Sequence, residues 1–124
     1  MGKRNNAQIY SDITKVLEFW MNKKWVDNIP KIWRHNIYGK CLEYVLEMLS
    51  ASCDAYNFTR YKEENIRRII SNLYKIKFIT RQFFENHILD CRKMNNLDEI
   101  YEKIEEQARK WLNNVNKTIN NLSE

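Results

Sequence analysis

Between Arg60 and Phe84 the chain carries seven basic residues and two acidic ones, and from Asn65 to Phe84 it has no carboxylate at all. Arg60, Arg67, Tyr74 and Arg81 recur every seven residues, a spacing that sets them on one side of a helix. Lys77 stands four residues before Arg81 on the adjoining edge. Cations stacked at helical spacing repel one another. A phosphate backbone laid along them relieves that repulsion and releases counterions, so these residues, with Arg68 and Lys75, are nucleic-acid-binding candidates. The whole chain has 21 Lys and Arg against 16 Asp and Glu, a net +5, and outside this segment the balance is fourteen of each. The entire excess therefore lies on one stretch. A solvated helix face, or a stripe answered by acids of a neighbouring subunit, is the plainer alternative.

Trp25 and Trp33 bracket Pro30, and Arg34 follows directly. Tryptophan and arginine are common anchors of protein interfaces, so these three are candidates for a subunit or partner contact. Base stacking is a second, less supported use of such rings. Catalysis has no visible apparatus: GxSxG, HExxH, P-loop and GxGxxG patterns are missing, and Glu102, Glu105 and Glu106 read as a solvated helix face. The expectation is a protein that is not an enzyme and takes no cofactor. Cys41, Cys53 and Cys91 are odd in number and lack CxxC spacing, and His35 and His87 stand far apart. They are expected to be ordinary thiols and imidazoles with no metal between them.

The elements that must position these residues are helices. Two glycines and one proline in 124 residues leave no turn chemistry for repeated hairpins. With 44% hydrophobic and 30% charged residues the chain suits a single globular domain. Apolar residues at spacings of three and four predict four helices over about 7–26, 31–56, 61–89 and 97–122, residues 1–6 forming a flexible tail. Pro30 is expected to open the second helix. Gly39 inside that helix costs about 1 kcal/mol relative to Ala, which suggests a close helix contact. Asn96 and Glu99 resemble a capping pair for the last helix. The expected architecture is all-α, an up-down-up-down four-helix bundle. The polar N-terminus leads into no apolar stretch, so neither a secretory signal nor a membrane span is expected, and Asn6 departs from the myristoylation pattern. A cytoplasmic location follows as an expectation.

Three motifs in order carry a family resemblance: Ile29-Pro30-Lys31-x-x-Arg34 entering the second helix, Ile76-Lys77-Phe78-x-x-Arg81 in the third, and Ala108-Arg109-Lys110-Trp111-Leu112 in the fourth. Together they resemble the accessory variability determinant (Avd) proteins of diversity-generating retroelements, relatives of the ribosomal-RNA intervening-sequence proteins. The stretch Ser50-Ala51-Ser52-Cys53-Asp54-Ala55-Tyr56 lacks the Asn-Ile-x-Glu-Gly usual in the intervening-sequence branch and favours Avd. The resemblance implies a basic four-helix bundle assembled as a homopentameric barrel. It further implies binding of RNA and DNA and association with a reverse transcriptase and its template RNA in mutagenic retrohoming. Lys77 and Arg81 fall where the family has basic residues. A helical protein-interaction adaptor and an RNA-bound intervening-sequence protein are the alternatives.

Overall fold

The computed structural model describes the backbone of residues 2–123 and the side chains of residues 8–118. Five helices follow in order: α1 (Gly2–Trp20), α2 (Lys23–Val26), α3 (Lys31–Asn57), α4 (Lys62–Glu85) and α5 (Cys91–Ser123). No strand occurs among the described residues. The four long helices pack around a square, α3 on α4, α4 on α5, and α1 on both α3 and α5. None of the described helices is long and apolar enough to cross a membrane.

Four boundaries differ from the periodicity, each for a local reason. Residues expected as a tail belong to α1, which begins at Gly2. The first helix stops at Trp20 rather than near Val26. There Asn22 accepts a hydrogen bond from the Lys24 backbone N–H at 3.0 Å and caps the short α2, turning the chain so that Trp25, Val26 and Ile29 fold inward. Helix α4 ends at Glu85, because His87 adopts a left-handed backbone (φ 63°). The Ile88 N–H bonds back to the Phe83 carbonyl at 2.9 Å and the His87 N–H to that of Phe84 at 3.0 Å, a Schellman closure built without glycine. Finally, α5 begins at Cys91, and Asn96 and Glu99 lie inside it. Its cap is Asp90, whose Oδ1 accepts the Lys93 backbone N–H at 2.8 Å, as an N-cap carboxylate does.

The end of α1, the end of α4 and the first half of α5 converge in one aromatic part of the core. Trp20, Phe83 and Tyr101 are fully buried there, and the Trp20 ring lies 5.2 Å from Trp25 and 5.7 Å from Phe83. A directed chain satisfies the polar atoms. Trp20 Nε1 donates to the Tyr101 hydroxyl at 3.2 Å, which lies 2.9 Å from Thr80 Oγ1, and Thr80 donates to the Ile76 carbonyl at 2.6 Å. Burial pushes the Tyr101 hydroxyl well above its ordinary pKa, opposed by the bonds to Thr80 and Trp20. It stays a protonated donor, and each member of this line has a partner, whereas Arg34 Nε and Gln107 Oε1 are buried without one.

Gly39 does not serve a helix contact within the protomer. It is exposed, and a Cβ there would meet nothing within 4 Å.

Candidate nucleic-acid interface

The apolar stripe Ile66, Ile69, Leu73, Ile76, Thr80 and Phe83 turns one side of α4 into the core, which leaves its cations on three other sides. On the outward side Arg67 spends its guanidinium on Glu63 one turn earlier, at 3.0 and 3.2 Å. Toward α3, Arg68 reaches Glu47 at 3.0 Å and Asp54 at 3.8 Å. Toward α5, Lys77 meets Glu105 at 3.2 Å. The same carboxylate accepts from Tyr74 and from Arg109, each at 3.0 Å, and Arg109 also donates to the Tyr74 hydroxyl. Burial opposes ionisation of Glu105, but the hydrogen bonds from Arg109, Tyr74 and Lys77 outweigh it and hold the carboxyl below its ordinary pKa.

The structure therefore breaks the expected continuous stripe. Arg67, Arg68 and Lys77 are answered by acids from the preceding turn and from neighbouring helices, which a count along one helix does not see. Arg60, Lys75 and Arg81 have no ion pair among the described residues. Arg60 sits apart from the others, before α4, with its guanidinium 4.8 Å from the Tyr61 ring centre. Lys75 and Arg81 stand one turn on either side of Phe78, which is 65% exposed.

Phe78 also divides two adjoining hollows of about 360 and 470 Å³ between α3 and α4, which share Tyr44, Phe78 and Ile79. Trp33 forms part of the floor, stacked on Phe83 at 5.6 Å and 17°. The Lys75 ammonium lies 5.4 Å from the Tyr44 ring centre. Phe78 falls off the apolar stripe of α4, and this misplaced aromatic, with the charge of Lys75 and the ring of Trp33, is the sequence signal for the groove. Lys40 and Tyr44, also on α3, carried none.

The residues bracketing Pro30 divide. Trp25 is 4% exposed, packed 4.7 Å from Phe19, and its Nε1 donates to the Phe19 carbonyl at 2.6 Å. It fills the protomer's own core and leaves the interface set, because α2 folds back over the bundle end. Arg34 is a strap: one terminal nitrogen donates to the Asp27 carbonyl at 2.7 Å and the Ile29 carbonyl at 3.0 Å, holding the turn before α3. Only Trp33 of the three faces the open groove.

The cysteines also separate: Cys41 is buried, Cys53 half-buried and Cys91 exposed. Burial pushes the Cys41 thiol up to about 12, so it is not a nucleophile near neutral pH. No group of three or more His, Cys, Asp or Glu among the described residues is placed to hold a metal ion. Comparison with models of known families, with curated proteins and with solved structures gives no match for this chain.

Proposed function

We propose that the protein is a non-catalytic nucleic-acid-binding subunit that works beside a larger enzyme. The resemblance to Avd proteins suggests a reverse transcriptase acting on a template RNA in mutagenic retrohoming. The observation that carries the reading is the pair Lys75 and Arg81. Neither has a carboxylate partner among the described residues, whereas Arg67, Arg68 and Lys77 have theirs, and both stand one turn from the exposed Phe78 ring. Cations of this kind gain from phosphate what Arg67, Arg68 and Lys77 already gain from Glu63, Glu47 and Glu105.

Assembly into a homo-oligomer, a pentamer by the same resemblance, is part of the proposal. Support comes from α3, where Ile32, His35, Gly39, Leu42, Leu46 and Leu49 follow at alternating spacings of three and four, Leu42 and Leu49 half-buried at the edge of the core and the others exposed. Ile32 is 68% exposed and Leu46 53%. Such a seam is the pattern by which one helix seats another, and the open space at Gly39 allows close approach.

The test is oligonucleotide affinity measured by fluorescence anisotropy across a range of salt concentrations. A nucleic-acid-binding subunit loses affinity steeply with salt. A protein adaptor, whose basic surface meets an acidic protein instead, has no oligonucleotide affinity to lose, and that outcome contradicts the proposal. Light scattering on Leu46→Glu checks assembly: the parent is expected above monomer mass and the variant at it.

A further inference from the structure

We propose that the groove between α3 and α4 is the seat of an unpaired nucleic-acid strand, with bases stacked on Phe78 and Tyr44 and phosphates held by Lys40 and Lys75. This rests on the nucleic-acid reading above and gives it a site and a strand state. The groove combines the two features that single-strand sites share, an accessible aromatic platform, here the exposed Phe78 beside the half-buried Tyr44, and a positive rim. Phe78 is 65% exposed at the junction of the two hollows, where solvation of a bare ring is unfavourable. A duplex cannot use these faces, because its own bases already cover one another. Splayed bases of a single strand can.

Charge complementarity selects nucleic acid over an apolar peptide helix. The residues around both hollows include Lys40 and Lys75 and no carboxylate. Lys75 is free of any ion pair among the described residues, and Lys40 holds only Glu43 at 3.3 Å, both side chains more than half exposed. Such a pair contributes little and exchanges easily for a phosphate. The aliphatic share is small, Ile37 and Ile79, where a helix-binding groove would present more. Asn36, Gln82 and Asn86 line the end beyond Ile79 and supply both donors and acceptors for base edges.

The experiment is anisotropy with a labelled oligouridylate of about 12 nucleotides, with the matching duplex as control, on the parent and on Phe78→Ala, Phe78→Leu and Phe78→Trp. The Phe78 side chain is exposed, so the variants keep the fold, which circular dichroism checks. Phe78→Ala and Phe78→Leu are expected to weaken single-strand binding by roughly 5- to 150-fold, the loss of one base stack. Phe78→Trp is expected to restore it, and duplex affinity to stay unchanged. If the parent binds the strand and the Ala and Leu variants bind it equally well, the groove is not the seat, although the nucleic-acid reading survives. A parent that binds neither strand nor duplex removes the reading itself. If Phe78→Ala instead breaks up an assembly that the parent forms, the groove is a contact between copies and the proposal is overturned.

Discussion

Helix α4 has two long seams, and they differ in how far the protein satisfies itself. On the α5 side two sets of polar groups find their partners inside the chain. Trp20, Tyr101 and Thr80 form one hydrogen-bonded line in the core, and Tyr74, Lys77 and Arg109 converge on Glu105 at the surface. On the α3 side Phe78 is exposed, Trp33 and Tyr44 are half-buried, and Lys75 is unanswered. Charge clustered along a helix is thus a poor guide to a ligand until the acids of neighbouring helices are subtracted. What remains after subtraction near Phe78 is Lys75 at the α3–α4 groove and Arg81 one turn beyond Phe78, rather than the whole of α4.

This contrast can be broken experimentally, and the largest effect is expected at the closed end of the bundle. Trp25→Ala removes a buried ring and is expected to cost about 3–5 kcal/mol in denaturant unfolding, with any assembly retained. Lost assembly at unchanged stability would return Trp25 to the interface. Tyr101→Phe leaves the Trp20 N–H and the Thr80 hydroxyl short of a partner. It is expected to cost about 1–3 kcal/mol in the same assay; a neutral result means that the line is dispensable packing. Lys77→Glu sets a carboxylate against Glu105 and is expected to cost about 1 kcal/mol, with little change in oligonucleotide affinity.

The smallest effect is in pH. The folded-state pKa of Glu105 is depressed, so its stabilising contribution is complete above the ordinary glutamate range and fades as pH falls through the lowered value. Asp90 behaves alike, held down chiefly by the backbone and side-chain hydrogen bonds from Lys93. Melting curves of the parent and Glu105→Gln are therefore expected to differ at neutral pH and to converge in acid. A gap that widens toward acid would reverse the assigned sign. Asp90→Asn keeps an acceptor for the Lys93 N–H and is expected to hold α5 while removing that residue's acid sensitivity.

The extent of each helix was legible where the sequence punctuates itself. Pro30 opens α3 within a residue of expectation, and the Ile66-to-Phe83 stripe fixes the core side of α4. Boundaries failed where polar residues did the work of Gly or Pro. Asn22 ends the first helix by capping the next, and His87 takes the left-handed position usually filled by glycine. Asn96 and Glu99 looked like a start, but Met94 and Leu97 are buried and continue the apolar face back toward Asp90. The candidate site was half legible. Lys75 and Arg81 stood out by charge, but Glu47 and Glu105, which neutralise Arg68 and Lys77, lie on other helices. Tyr44 and Phe78 become neighbours only when α3 and α4 pack.

The most direct measurement compares the salt dependence of single-strand binding for the parent, Lys75→Glu/Arg81→Glu and Lys77→Glu. The double variant is expected to fold, since exposed charge changes usually alter stability by only about 0.5 kcal/mol. Its plot of log affinity against log salt is expected to flatten by about 1.4, roughly 0.7 for each lost phosphate contact on a single strand, and Lys77→Glu is expected to keep nearly the parent slope. Equal slopes for the parent and the double variant, or a flattening confined to Lys77→Glu, would contradict the assignment of nucleic-acid binding to the unanswered cations Lys75 and Arg81.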